Sequence, residues 1–195
     1  TYPKEPRKPY SMITASRLAT EKHIDWLVAA TVQAHAQLPE LTLDIYGKGS
    51  EEDKLRRRIE EAGAQDYIRL KGHADLSQIY AGYELYLTAS TSEGFGLTLM
   101  EAVGSGLPLI GFDVRYGNQT FIDDGKNGYL LPVSSNHVED QIIAAFVGKI
   151  VALFSQGRQQ EMCQHSYRVA ENYLTSRVEA AWSQLLKEVR DDSAL

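Results

Sequence analysis

The sequence has 195 residues, 43% hydrophobic and 24% charged, with a formal net charge of −6. Those figures describe one ordinary domain with a full apolar core, and with no dense Lys/Arg run they argue against a nucleic-acid partner. One cysteine, Cys163, excludes an intrachain disulfide and points to a reducing, cytoplasmic compartment. No apolar run approaches the roughly 18 residues of a membrane span.

The opening stretch, residues 1–9, carries Pro3, Pro6 and Pro9 and predicts a linker to another part of a longer protein. From Tyr10 onward, apolar runs and amphipathic segments alternate. Tyr10–Ser16 is a short strand. Ile24–His35 places Ile24, Leu27, Val28 and Thr31 on one helical face, and Pro39 ends that region. Leu41–Tyr46 is the next strand, closed by Gly47-Lys48-Gly49. Ser50, with Asp53 three residues on, predicts a capping box for a helix carrying Leu55, Ile59 and Ala62 and stopped by Gly63. The basic cluster Lys54, Arg56, Arg57 and Arg58 alternates with acids and reads as its solvated face. Tyr67–Leu70 is a third strand. Leu76–Ala81, with Asp75 as cap, reads as a short helix. Glu84–Ser90 is a buried strand, followed by a helix over Phe95–Gly104 and a strand over Pro108–Phe112. A short helix near Asn118–Asp123 and a strand at Gly128–Leu131 complete the array. After Val138 only helical patterns remain: Glu139–Ser155, Arg158–Tyr173 and Ser176–Val189.

Alternation of this kind predicts an α/β class: one Rossmann-like, doubly wound parallel sheet of about six strands, with helices on both faces and extra C-terminal helices. Ligands in such folds sit beyond the carboxyl ends of the strands. The loops at that edge are Ser16–Lys22, Gly47–Ser50, Gly72–Leu76, Ser90–Phe95 and Asp113–Asn118, and they hold the best chemistry in the sequence.

Neither G-x-G-x-x-G after the first strand nor G-x-x-x-x-G-K-[ST] is present, which disfavours a nicotinamide, flavin or P-loop site. The histidines, His23, His35, His73, His137 and His165, lack metal-ligand spacing, and no D-x-D is available to carry a divalent metal on a diphosphate. Arg17 and Lys22 in the first loop are cations of the kind a diphosphate needs when no metal is present. Gly94-Phe95-Gly96 opens a helix, so its free amides and dipole favour an anion, and glycine permits close approach. Glu93 and Glu101 would repel phosphate and so should meet hydroxyl groups, Glu93 those of a sugar and Glu101 those of a ribose. Taken singly, Arg17 and Lys22 could be surface cations, Glu93 a helix cap and Glu101 a solvated helix acid. It is their conjunction in loops at one sheet edge that points to a sugar nucleotide.

Four stretches, S-R-L-x-x-x-K (from Ser16), E-G-F-G-L-x-L-x-E-A (from Glu93), G-x-P-L-I (from Gly106) and D-G-x-N-G-Y-L-L-P (from Asp124), resemble the nucleotide-binding half of retaining GT-B glycosyltransferases of family 4. Glu93 and Glu101 are the acids of that family's E-x7-E motif, and the likeness covers Tyr10–Pro132. The variant F-D-V-R-Y-G-N (Phe112–Asn118) is similar to a Gram-positive branch that glycosylates teichoic acids or serine-rich surface adhesins. The resemblance implies a donor-binding domain for UDP-GlcNAc or UDP-glucose, needing no metal or other cofactor. It implies catalytic roles for Arg17 and Lys22 on the diphosphate and for Glu93 on the donor sugar. It implies Glu101 on the ribose, Gly94, Phe95, Gly96, Leu97 and Thr98 on sugar and phosphate, and Gly47, His73 and Leu76 as further substrate-binding positions.

The family fold has two such domains, so this would be the C-terminal half. The acceptor, a glycan, teichoic acid or protein, would be read by the missing N-terminal half, and the helix over 176–190 would pack toward that half or onto its own domain. Peripheral membrane association at the inner face of the membrane and a partner glycosyltransferase subunit are further expectations. The alternatives are a non-catalytic glycosyltransferase-like subunit, which would more often have lost the acids or cations, and an epimerase or phosphorylase on the same fold.

Overall fold

The computed structural model describes residues 6–133 and 138–192. Six parallel strands form one sheet: β1 (Ser11–Ala15), β2 (Thr42–Tyr46), β3 (Ile68–Gly72), β4 (Leu85–Leu87), β5 (Leu109–Phe112) and β6 (Gly128–Leu131). Their order is β3-β2-β1-β4-β5-β6, so the winding reverses between β1 and β4. Among the described residues seven α-helices accompany them: α1 (Ile24–His35), α2 (Glu52–Glu61), α3 (Leu97–Gly104), α4 (Gly117–Phe121), α5 (Glu139–Gln156), α6 (Gln159–Glu171) and α7 (Thr175–Asp192).

Side-chain alternation along each strand builds two cores. Met12, Leu43, Ile45, Leu85, Leu87, Ile110 and Phe112 face α1, α2 and α5. Ile13, Ala15, Tyr46, Tyr86 and Leu109 face the opposite way, onto α3, Tyr80 and Phe121, with α6 packed behind. Both faces being covered is why the strands read as continuous apolar runs. Ser166 on α6 donates to the Leu107 carbonyl at 2.6 Å, anchoring that helix to the turn between α3 and β5. The chain entering the domain is tied down at the same place. Arg7, in the segment read as a linker, donates to the carbonyls of Ser105 (2.7 Å) and Gly106 (3.2 Å), and also to that of Tyr83.

Two local expectations need correction. No α-helix forms over Leu76–Ala81; turns lead to a single 3-10 turn at Tyr80–Gly82. Asp75 accepts from the Ser77 amide at 3.0 Å, closing a tight turn rather than capping a helix. The capping box at Ser50 is absent: α2 starts at Glu52 with no side-chain cap, and the Glu52 amide, which a cap at Ser50 would serve, returns to the Gly49 carbonyl at 3.3 Å. For the helix over 176–190 two placings were open, and α7 leaves its apolar face off its own domain: Val178, Trp182, Leu185, Leu186 and Val189 are all exposed, Trp182 to 60%. Elsewhere the differences are of boundary. The helix expected near Asn118–Asp123 ends at Phe121, whose carbonyl accepts from the Asn127 side-chain amide at 2.9 Å. His137 lies outside the described residues.

Candidate functional site

At the winding reversal a cleft of about 590 Å³ opens over the carboxyl ends of β1 and β2. It is lined by Ala15, Ser16, Arg17, Tyr46, Gly47, Lys48, His73, Ala74, Asp75, Leu76, Thr98 and Glu101. This is where a doubly wound sheet exposes strand ends without a crossover helix above them.

One wall is main chain packed on main chain. The Leu18 amide donates to the Lys48 carbonyl at 3.0 Å, and the Gly47 amide to the Gly72 carbonyl at 2.8 Å. Gly47 sits at φ +138°, and a Cβ there would lie 1.8 Å from the Ser16 carbonyl oxygen. Glycine is thus required at this position by the neighbouring loop, apart from any ligand.

The opposite wall is α3. Gly96 precedes it in the left-handed region, φ 83°, and no side chain caps the helix. The amides of Leu99 and Met100 both return to the Gly96 carbonyl at 3.0 Å, whereas those of Leu97 and Thr98 have no acceptor among the described residues. Thr98 and Glu101, three residues apart, share the face turned to the cleft. Each is held from beneath by a buried tyrosine. The Tyr80 hydroxyl donates to Glu101 Oε2 at 3.1 Å, and the Tyr86 hydroxyl lies 3.0 Å from Thr98 Oγ1 and 3.1 Å from the Ala15 carbonyl. Burial pushes both phenols well above their ordinary range, Tyr80 the further of the two.

Of the residues singled out from the sequence, Arg17, Gly47, His73, Leu76, Thr98 and Glu101 come together in the cleft. Lys22, Glu93, Gly94, Phe95, Gly96 and Leu97 are not among its lining. Lys22 Nζ and Glu93 Oε1 instead bond to each other at 2.6 Å, with side chains only 13% and 17% exposed. Glu93 is fixed further by its carbonyl, which accepts from the Tyr116 amide at 3.3 Å. Arg17 is paired with Glu21 at 3.1 Å but is 78% exposed, so that pair exchanges easily with solvent or an anion. Phe95 stacks edge-on against Phe121, with ring centroids 5.5 Å apart.

Sequence reasoning did not single out Lys48, Tyr80 or Tyr86 for the site. Lys48 lines the cleft and has no ion pair among the described residues. Its signal was available, since it sits between two glycines in a strand-end loop. Among the described residues no three His, Cys, Asp or Glu side chains converge as metal ligands do. No helix there is long and apolar enough to cross a membrane.

Chemically, the cleft offers a cationic rim at Arg17 and Lys48, hydroxyl-accepting oxygens at Thr98 and Glu101, and free helix amides beside them. That combination suits a phosphorylated polyol, with anion at one end and diol at the other.

The family profile described as Glycosyl transferases group 1 matches residues 3–154. The UDP-N-acetylglucosamine–peptide N-acetylglucosaminyltransferase GtfA subunit of Streptococcus gordonii is 97% identical over 195 residues, which is 100% of this chain and 38% of that protein. A crystal structure of the pneumococcal O-GlcNAc transferase GtfA in complex with UDP and GlcNAc superposes with a TM-score of 0.93 at 62% identity, covering 97% of this chain and 37% of that one. A crystal structure of a GtfA/B complex gives a TM-score of 0.94 at 97% identity over 98% of this chain and 38% of that one. The chain thus spans well under half the length of these relatives.

Proposed function

We propose that this chain, which belongs to the group 1 glycosyl transferases, is the donor-binding half of a retaining transferase that moves N-acetylglucosamine from UDP-GlcNAc to a protein. The observation that carries the reading is the cleft at the β1/β4 reversal, with Thr98 and Glu101 on one wall and Arg17 at its rim. The solved relative at 62% identity is described as binding UDP and GlcNAc, which fits a cleft of this chemistry.

In this reading Glu101 accepts from the ribose hydroxyls. The free amides of Leu97 and Thr98, with Arg17, face the diphosphate. Departing diphosphate gathers negative charge in the transition state, so cations fixed in advance lower the barrier. Lys22 can serve in this way only by sharing itself between Glu93 and phosphate. Glu93, held by Lys22, then turns its other oxygen to the sugar. The reaction is proposed to need no metal, since protein cations and helix amides supply the compensation. Loss of one such contact should cost about 2.7–4 kcal/mol, on the order of 10²–10³ in rate.

The acceptor would be read by the remainder of a longer protein, to which the apolar face of α7 would turn. A partner subunit is proposed because the relative at 97% identity has been solved as a GtfA/B complex. A cytoplasmic site of action is supported by the single free Cys163.

Isothermal titration of UDP and UDP-GlcNAc into the protein, with EDTA present, tests the reading. Binding of both nucleotides is expected. Binding that appears only on addition of magnesium, or binding of neither ligand, refutes it.

A further inference from the structure

Glu101 reaches the cleft from α3 one turn after Thr98, and its carboxylate is exposed, yet one of its oxygens is already committed. The Tyr80 hydroxyl donates to Oε2 at 3.1 Å, from a side chain that is itself 0% exposed. A phenol has a single proton, and a buried one must spend it on an acceptor. Burial, reinforced by Tyr86 and Glu101, drives Tyr80 far above the ordinary phenol range, so it remains a donor at any pH the fold survives. The ring is locked as well. It packs against Tyr86, centroids 6.1 Å apart, inside the core beneath β1 and β4. The donor is therefore rigid, and the acceptor it holds stands at the edge of a cleft.

We propose that Tyr80 is a positioning residue for the donor nucleotide: it pins Glu101 Oε2 from below, so that Oε1 stands as the open acceptor for the ribose diol. This rests on the donor-site reading above. A glutamate's terminal torsion is broad and roughly two-fold, so an unpinned carboxylate samples orientations that miss a diol. One hydrogen bond from a fixed, buried hydroxyl removes that freedom before ligand arrives, which is how preorganisation adds to affinity. Tyr80 never touches the ligand. Its effect should appear only where Glu101 is the contact, namely at the ribose hydroxyls.

The test uses the full-length protein and titrations with UDP and 2′-deoxy-UDP. Wild type should prefer UDP. Tyr80→Phe, which keeps the ring and removes the proton, should weaken UDP about five- to thirtyfold, within what a hydrogen bond acting on a charged group can supply. It should weaken 2′-deoxy-UDP less, so that the preference between the two contracts. Tyr80→Phe combined with Glu101→Gln should bind UDP no more weakly than Glu101→Gln alone. In turnover, KM for the donor should rise while kcat stays within about a factor of two.

Ser166→Ala is the control for a purely structural role. The buried Ser166 hydroxyl donates to the Leu107 carbonyl at 2.6 Å, and neither residue lines the cleft. That variant should lose stability and keep its UDP affinity. If Tyr80→Phe binds UDP as wild type does, or if its effect multiplies with that of Glu101→Gln, Tyr80 is an ordinary core residue and the proposal falls. If wild type binds no UDP at all, the donor-site reading itself fails and takes the proposal with it. The behaviour of wild type therefore distinguishes the two failures.

Discussion

Replacing Lys22 by Met should destabilise the domain markedly, because it leaves Glu93 charged and mostly enclosed. At 2.6 Å the pair's attraction is about 6 kcal/mol for an effective dielectric near 20. Most of that offsets the desolvation of the two ions, so the attraction is no guide to net worth. The cost of breaking the pair is a better guide. Removing one partner of a buried pair costs about 3–5 kcal/mol. With side chains 13% and 17% exposed, some solvent remains, and about 2–3 kcal/mol is the expected loss. For a chain of this size that corresponds to a fall in Tm of roughly 5–10 °C.

The assay is urea unfolding of wild type, Lys22→Met, Glu93→Gln and the double variant. The double variant removes both charges and should lie within about 1 kcal/mol of wild type, giving a coupling energy of at least about 1 kcal/mol. A Lys22→Met protein within about 0.5 kcal/mol of wild type, or strictly additive losses, would refute the claim that these side chains neutralise each other in the folded state.

Gly47→Ala should cost at least about 3 kcal/mol, or prevent folding, since its Cβ would lie 1.8 Å from the Ser16 carbonyl oxygen. Gly63→Ala, at an ordinary left-handed φ of 62° and with nothing within 4 Å, should cost only about 1 kcal/mol. Urea midpoints of the two check the contrast, and equal losses would mean that the close approach to Ser16 is not what requires glycine at position 47. Burial raises the Glu84 carboxyl above its ordinary 4.5, opposed by the Tyr10 amide. A raised folded value means that Glu84's contribution is full at pH below about 4.5 and declines as pH climbs through the raised value. Glu84→Gln keeps an acceptor for Tyr10 and should flatten the fall in Tm between that pH and neutrality. An unchanged pH–Tm curve would remove Glu84 from the account.

The sheet was legible because burial on both faces imposes a pattern that one sequence displays. Leu43 and Ile45 go to one core and Tyr46 to the other, as period-two alternation requires. A doubly wound parallel sheet followed from the alternation of strands and helices, whereas the place of its reversal, between β1 and β4, emerged only from the folded chain. What failed was local and tertiary in origin. Ser50 has a cap's chemistry, but the Glu52 amide that it would serve bonds to the Gly49 carbonyl, in a loop tied to Leu18 of another loop through the Glu51 amide. The segment 76–81 has helical spacing, but Asp75 closes a turn at Ser77 and Tyr80 is buried under the sheet. In the site, Glu101 was readable from its place in a helix after a glycine-rich turn, and Thr98 from the family resemblance. Tyr80 and Tyr86 were not, because an aromatic ring in an apolar run looks like filling, and its hydroxyl shows no partner until the chain is folded. The bond between Lys22 and Glu93 joins residues 71 apart in the chain, a distance no local pattern crosses.

The wall of main chain between Ser16 and Gly49 also limits how such a protein can change its preferences. Substitution alters side chains, and on that side the two glycines admit none: Gly47 is jammed against Ser16, and a Cβ on Gly49 would lie 2.2 Å from the Leu18 carbonyl oxygen. Descent or design aimed at a different nucleotide is therefore channelled to the Arg17 and Lys48 side chains at the rim and to two other margins. These are His73–Leu76, a turn in which His73 and Asp75 are exposed, and the α3 face at Thr98 and Glu101, where each change must also satisfy the tyrosine beneath. The first margin is free to drift, whereas the second can move only in coordinated pairs.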